Sequence, residues 1–454
     1  MLRNPTLAVL ASVTGGEIIQ GDPEAFCTSV STDTRTLSEG SLYIPLTGER
    51  FDGHDFVQNA VDAGATAVLT ERLLPVTIAQ IKVNNTLRAL ADVAAWHRDQ
   101  FTGPVVAVTG SAGKTTVKQL MGSVLSQRYQ TLITQGNLNN HIGAPLTLLS
   151  LRPEHEAAMI ELGASGVGEI NYTASLVKPQ VGILTNVVPV HLEGFGSVDN
   201  IASTKGELID AVASHGVMVL NADDKYFSQW LGRVAERSVI SFGLSPDADV
   251  YATDIQEEIT GTRFTFHLNG NAFPVSMSLS GKHNVRNALS VIAAASALDF
   301  RPEEIVAGLE SALPVSGRLE QCTGQQGQMV LNDAYNANPE SFRAAIDVLA
   351  LAAGKRIVVM GDMGELGEAA EDMHAQTGHY AKEKGIEVFA ATGSLSQAAV
   401  DAFGENGHWF EDQKSLIEFL KETPDKTDTL LVKGSRSAGM DRVVRALTEE
   451  KEEN

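Results

Sequence analysis

Pro104–Thr116 reads PVVAVTGSAGKTT, and this stretch decides the fold. A short, largely β-branched apolar run, Val105 to Val108, leads into Thr109-Gly110-Ser111-Ala112-Gly113-Lys114-Thr115-Thr116, and an amphipathic stretch follows to Tyr129. A buried strand that breaks at glycines and restarts as a helix makes a phosphate cradle. The glycines let backbone N–H groups turn inward, the helix N-terminus adds positive potential, and Lys114 can reach the terminal phosphates. The Thr115 hydroxyl is then placed to ligate Mg²⁺. Gly110, Ser111, Ala112, Gly113, Lys114, Thr115 and Thr116 are therefore the expected nucleotide-binding residues. The loop is the short form, GxxGKT, because Val108 stands where the common form has its first glycine.

Outward from the cradle, strand and helix signals alternate. Val105–Val108, Ala157–Ile160, Val181–Leu184 and Val217–Leu220 are short apolar runs, with helical stretches at Thr116–Tyr129 and Val198–Val212 between them. That alternation predicts a parallel sheet with helices on both faces. An antiparallel excursion follows, in which Phe264, Phe266 and Leu268 alternate with polar residues, Asn269-Gly270 turns, and Val275, Met277 and Leu279 alternate again. After Pro314 and Gly317 a second α/β unit begins, with strands expected at Met329–Leu331, Arg356–Met360, Val388–Ala391 and Leu430–Val432. The predicted organisation is α/β in three domains. Residues 1–83 form a small mixed α/β domain, 84–313 a central P-loop parallel-sheet domain, and 314–454 a Rossmann-like domain whose acidic tail, Glu449–Asn454, is expected to fray.

Composition narrows the function. A chain of 454 residues with 43% hydrophobic and 20% charged residues is globular, and its formal charge of −22 excludes a broad nucleic-acid or anionic-membrane surface. Only Cys27 and Cys322 occur. They supply neither a disulfide framework nor a zinc cluster, so a reducing, cytoplasmic setting is expected. The apolar run Leu7–Val13 is too short for a signal-peptide core, and Gly15-Gly16 reads as the end of a helix. No run approaches a membrane span.

Several polar residues fall at the carboxyl ends of the later strands, where open α/β sheets bind ligands. Glu161 follows the run Ala157–Ile160 and suits a Mg²⁺ ligand, against a solvated acid as the plain alternative. His191 follows the strand exit Thr185-Asn186, and Lys205 sits on a helix; alone, each reads as structural or solvated. Asn284 and Asn287, three residues apart in a helix start, share one face and could read a purine edge, or simply cap and fill. Arg318 at the domain junction offers a guanidinium for phosphate. Asp333 ends the first strand of the last region, where a carboxylate can accept from ribose hydroxyls.

Taken in order, the short GxxGKT loop, Glu161-Leu162-Gly163-Ala164-Ser165, His191, Lys205-Gly206-Glu207, His283-Asn284 with Asn287, Gly317-Arg318 and Asn332-Asp333-Ala334-Tyr335-Asn336 resemble the Mur ligase superfamily along essentially the whole chain. Thr32-Asp33-Thr34-Arg35, Gly136-Asn137-Leu138-Asn139-Asn140, His191 to Gly196, Gly361 to Gly367 and Val432 to Ser437 point, by resemblance, to the member that adds D-alanyl-D-alanine to UDP-N-acetylmuramoyl-tripeptide. Where the family commonly has two acids before the tyrosine, this chain has Asn332-Asp333. The resemblance implies an ATP-dependent amide ligase of peptidoglycan synthesis, a monomer using two Mg²⁺. It implies catalytic roles for Lys114, Glu161, His191, Lys205 and Arg318, and metal ligation by Thr115, Glu161, His191 and an N-carbamylated Lys205. Asn284, Asn287, Arg318 and Asp333 would contact ATP, and Thr32, Asp33, Thr34, Arg35, Asn139 and Asn140 the UDP-substrate.

The rivals are a sister Mur ligase, folylpolyglutamate synthase and, outside the class, a P-loop switch. The DNPR signature of the third-residue ligase is absent, and Thr185-Asn186-Val187-Val188 lacks the Asn-Lys-x-Asp run that reads guanine.

Overall fold

The computed structural model describes residues 1–48, 51–190 and 192–448. The tail read as frayed lies outside the described residues, as does His191. Three sheets follow one another along the chain. The first has five strands in the order Glu17–Gln20, Ala79–Lys82, Ala67–Thr70, Ser41–Tyr43 and Ser29–Ser31, parallel except for the first pair. These strands are three or four residues long, too short for an alternation to register, so only a mixture of short strands and turns is legible there.

The central sheet has nine strands. Its parallel part runs Thr131–Ile133, Ala157–Glu161, Val105–Thr109, Val181–Leu184, Val217–Asn221, Ser238–Gly243 and Val250–Glu258. Gly261–Leu268 and Asn271–Met277 then pair antiparallel, joined by Asn269-Gly270 with both φ angles positive, the turn that Asn-Gly favours between twisted strands. The four apolar runs read from sequence are four of these strands, buried on both faces. Helices Lys114–Leu125, Lys282–Ser296 and Pro302–Ser311 cover one face, and Glu169–Val177 and Val198–Ala211 the other.

The last sheet orders Glu320–Thr323, Met329–Asp333, Thr429–Lys433, Arg356–Gly361, Val388–Thr392 and Gly407–Phe410, parallel apart from its first, edge strand. Helix Thr86–Arg98 serves two units at once, sending Ala89, Leu90 and Val93 into the first core and Ala94 into the central one. Among the described residues no helix is long and apolar enough to cross a membrane.

The central and last units touch away from their linker as well. The tip between Val250–Glu258 and Gly261–Leu268 places half-buried Ile259 against the last unit's core, and the Ile259 carbonyl accepts from Gln321 Nε2 at 3.0 Å. Ile259→Asp puts a charge into that contact and should cost about 1 kcal/mol of docking. Small-angle scattering is expected to show a larger radius of gyration for the variant, with helix content unchanged.

Candidate active site

The carboxyl ends of the central and last sheets face one another across a cleft of about 1480 Å³. The cradle lies in its floor. Gly110 (φ +148°) and Gly113 (φ +82°) adopt angles that side chains resist, and each is pressed close: a Cβ on Gly110 would lie 1.9 Å from Thr185 Oγ1, and one on Gly113 2.4 Å from Asn287 Oδ1. The loop is fastened to the neighbouring strand exit. Ser111 N–H donates to the Asn186 carbonyl and Ala112 N–H to Asn186 Oδ1, each at 2.9 Å, while Thr185 Oγ1 donates to the Ala112 carbonyl at 2.7 Å. Lys114 Nζ folds over the loop onto the carbonyls of Gly110 (2.7 Å) and Ser111 (3.2 Å). Desolvation, with help from the Arg318 charge, lowers the Lys114 pKa.

Glu161, the last residue of its strand, is buried and held on several sides. Its Oε1 accepts from Asn139 Nδ2 at 2.7 Å and from Thr115 Oγ1 at 3.4 Å, and its Oε2 lies 3.3 Å from Lys118 Nζ. Among the described residues no cluster of three or more His, Cys, Asp or Glu side chains could hold a metal. A single carboxylate beside one hydroxyl suits Mg²⁺, which takes few protein ligands and completes its shell with water and phosphate oxygens.

Lys205 lies behind the cleft wall, 1% exposed, donating to the Ala164 carbonyl at 3.2 Å with its Nζ 5.2 Å from the Phe195 ring centre. Burial first and the Lys114 charge second bring its pKa down to about 7, against the opposing pull of Glu169 and Glu207. Glu207 itself caps the helix Glu169–Val177, accepting from the N–H groups of Gly168 and Asn171.

From the other side come Arg318 and Asp333. Arg318 lies with Cζ 4.3 Å from the Tyr335 ring centre, and among the described residues its buried Nε has no hydrogen-bond partner. An unsatisfied buried donor facing a phosphate cradle is what an anion site looks like when its ligand is not counted. Asp333 is not free: it accepts from the ammonium of Lys433, 1% exposed, and from Leu319 N–H at 3.2 Å. Asn284 and Asn287 are buried and bonded inward, Asn284 Nδ2 to the Ser280 carbonyl and Asn287 Nδ2 to Asn284 Oδ1. Burial pushes neighbouring His283 down to about 4, so it is uncharged at pH 7.

The cleft thus gathers Ser111, Ala112, Gly113, Lys114, Thr115, Thr116, Asn139, Asn140, Glu161, Asn284, Asn287, Arg318 and Asp333, with Gly110 beneath and Lys205 behind. Thr32, Asp33, Thr34 and Arg35 do not line it. They follow the strand Ser29–Ser31 in the first unit, where the Arg35 guanidinium grips Asp33 through Nε and NH2 and holds that carboxyl down to about 2. His191 lies outside the described residues. Two buried lysines at the site carried no role in the sequence reading. Lys118 was discoverable, since four residues past Lys114 puts it on the same helix face; Lys433 stood only as part of a quoted motif.

The comparisons agree with this geometry. The Mur ligase family catalytic domain matches residues 27–98, the Mur ligase middle domain 108–295, and the glutamate ligase domain of Mur ligases 317–436. The UDP-N-acetylmuramoyl-tripeptide–D-alanyl-D-alanine ligase of Escherichia coli (strain K12) is 42% identical over 449 residues, covering 98% of each chain. A crystal structure of MurF from Acinetobacter baumannii superposes with a TM-score of 0.93 at 35% identity, covering 99% of this chain and 100% of that one. MurF from Thermotoga maritima, solved in complex with ADP, gives 0.84 at 27% identity, covering 92% and 96%. The chain belongs to the Mur ligase family. Within it, the chain groups with the UDP-N-acetylmuramoyl-tripeptide–D-alanyl-D-alanine ligases, the name that several of its full-length curated relatives bear.

The Lys433–Asp333 pair gives a direct test of the site's charge balance. Lys433→Met leaves a buried carboxylate without its cation and should destabilise the last unit by about 3 kcal/mol. Adding Asp333→Asn should restore most of that loss. Urea unfolding of the two variants beside the parent protein measures both effects.

Proposed function

We propose that this chain uses ATP to join the terminal carboxylate of UDP-N-acetylmuramoyl-tripeptide to the amine of D-alanyl-D-alanine, giving the pentapeptide precursor of peptidoglycan. The observation that carries the reading is the meeting, across one cleft, of a glycine-pinched phosphate cradle with Lys114 and with Arg318, whose buried Nε has no hydrogen-bond partner among the described residues. The tripeptide carboxylate attacks the γ-phosphorus of ATP, the bond to the ADP oxygen breaks, and an acyl phosphate forms. The dipeptide amine then adds to that carbonyl, loses a proton, and phosphate leaves as the tetrahedral adduct collapses.

A carboxylate approaching a polyphosphate is repelled, so the protein's contribution is fixed positive charge. Lys114 and Arg318 supply it from opposite walls. Glu161 and Thr115 would hold one Mg²⁺, and His191 with a carbamylated Lys205 a second; bound Mg²⁺ supplies further shielding of the phosphate oxygens. Asn284 and Asn287 are assigned to the adenine and Asp333 to the ribose. Thr32, Asp33, Thr34, Arg35, Asn139 and Asn140 are assigned to the UDP-substrate. We assign the enzyme, as a monomer, to the cytoplasm, where ATP and UDP-linked precursors are found.

ADP release should require both the UDP-tripeptide and D-alanyl-D-alanine, with the pentapeptide as product by mass spectrometry. Equal turnover with a single amino acid, or with a folate in place of the UDP-tripeptide, would sink the assignment.

The carbamate has its own signature. Carbon dioxide adds only to a neutral amine, and a pKa brought down to about 7 makes the neutral form of Lys205 accessible as pH rises through neutrality. A carbamate carbon resonance should therefore appear with ¹³C-bicarbonate and grow from pH 6 to 8. Lys205→Ala should fold yet turn over about 10²-fold more slowly or worse, with partial rescue by acetate or propionate. Lys205→Arg should be inactive and unrescued, since a guanidinium keeps its charge; full activity there would remove the role.

A further inference from the structure

Lys118, like Lys433, is a buried, paired lysine that the reaction scheme leaves unused, and it is the one of the two that touches Glu161. It lies one turn beyond Lys114 on the cradle helix Lys114–Leu125, with its side chain 5% exposed. Its Nζ lies 3.3 Å from Glu161 Oε2 and donates to the Gly136 carbonyl at 3.1 Å. Glu161 Oε2 has no hydrogen-bond partner among the described residues, so the Lys118 charge is what balances it. The other oxygen, Oε1, faces Asn139 and Thr115.

Gly136 opens the segment that carries Asn139 and Asn140, and the Asn139 carbonyl in turn accepts from Gly163 N–H at 2.8 Å, just past Glu161. Three pieces therefore converge on one ammonium: the cradle helix, the strand end Glu161, and the asparagine loop. A buried ion pair contributes little to stability compared with apolar packing of the same volume. Packing alone would be served as well by methionine, so the charge calls for another explanation.

We propose that Lys118 is a positioning residue that occupies one oxygen of Glu161, directs the other toward Thr115 and the cleft, and ties the asparagine loop to that same carboxylate. The proposal rests on the reading of Glu161 as the Mg²⁺ ligand. It has a consequence that a structural filler would not share. An ammonium on Glu161 opposes any cation drawn to the same carboxylate, so Lys118 weakens metal binding while it improves alignment. Removing it should move the two quantities in opposite directions.

The test uses the full chain with Lys118→Met, which keeps length and removes charge, and Lys118→Arg, which keeps charge. Mn²⁺ binding is titrated in the presence of ADP and followed by electron paramagnetic resonance, and steady-state turnover is measured alongside. In Lys118→Met, Mn²⁺ should bind about tenfold more tightly, kcat should fall about 10- to 100-fold, and KM for the UDP-tripeptide should rise as the loop loses its tether. Lys118→Arg should keep Mn²⁺ affinity near the parent value and recover part of kcat. In a Glu161→Gln background, where only direct repulsion between ammonium and cation remains, Lys118→Met should tighten Mn²⁺ binding by less than it does in the parent. Unchanged or weaker Mn²⁺ binding in Lys118→Met, or a lowered melting temperature with normal kcat, would overturn the proposal. Should the UDP-tripeptide prove not to be the substrate, the Mn²⁺ and ADP titration still reads the Lys118–Glu161 coupling by itself.

Discussion

The contact between Gly110 and Thr185 is the constraint on which the site depends. With a Cβ at Gly110 falling 1.9 Å from the threonine hydroxyl, no other residue fits without displacing that hydroxyl from its bond to the Ala112 carbonyl. That closeness brings Asn186 within reach of the loop's N–H groups, so the cradle is fixed by its neighbour as well as by its own turn. A loop fixed in this way keeps its donors aimed, and a preorganised charge site need not reorganise as the phosphoryl group moves. The parallel sheet supplies the rest, since its strands deliver Thr109, Glu161 and Thr185 to one edge.

The charge distribution follows from the same geometry. A chain of net charge −22 gathers Lys114, Lys118, Lys205, Arg318 and Lys433 around a single cleft, four of them from strand ends or the helices beside them. These five meet burial in four ways. Lys433 and Lys118 are paired with carboxylates; Lys114 leans on carbonyls; Arg318 keeps an unmet donor; Lys205 meets the cost by drifting toward neutrality. Only the last three retain capacity for a ligand or a modification. The paired ones set geometry.

The sequence carried this unevenly, for physical reasons. Buried parallel strands are continuous apolar runs, so Val105–Thr109 and its neighbours were legible to within a residue at each end. Asn269-Gly270 was legible because two successive positive φ angles leave few residue choices. The strands of the first sheet were not, being too short to show a period, and edge strand Glu320–Thr323 alternates without strong apolar character. Glu161, Arg318 and Asp333 were found through strand ends and motif order. The partner of Asp333 was invisible, because Lys433 sits 100 residues away and no local pattern announces a pairing at that range. Lys118 was half legible, since its spacing puts it on the helix face of Lys114 but does not show what it meets. A lysine on a helix is presumed solvated, and only the third dimension shows that Glu161 and Gly136 close over it.

The interplay of Lys114 and Lys205 sets an order of events on the proposed reading. The charge of Lys114 is the second cause, after burial, of the low Lys205 pKa. A phosphate in the cradle would offset that charge and so weaken its push on Lys205, leaving burial as the main cause. The amine is thus most readily neutral, and most open to carbon dioxide, before nucleotide arrives. Once formed, the carbamate reverses the sign of the interaction, because an anion beside Lys114 favours the lysine's charged form. Until a cation binds the carbamate, the modification would favour a protonated Lys114, and a buried lysine that begins as an electrostatic liability would become an anionic oxygen ligand beside the cradle.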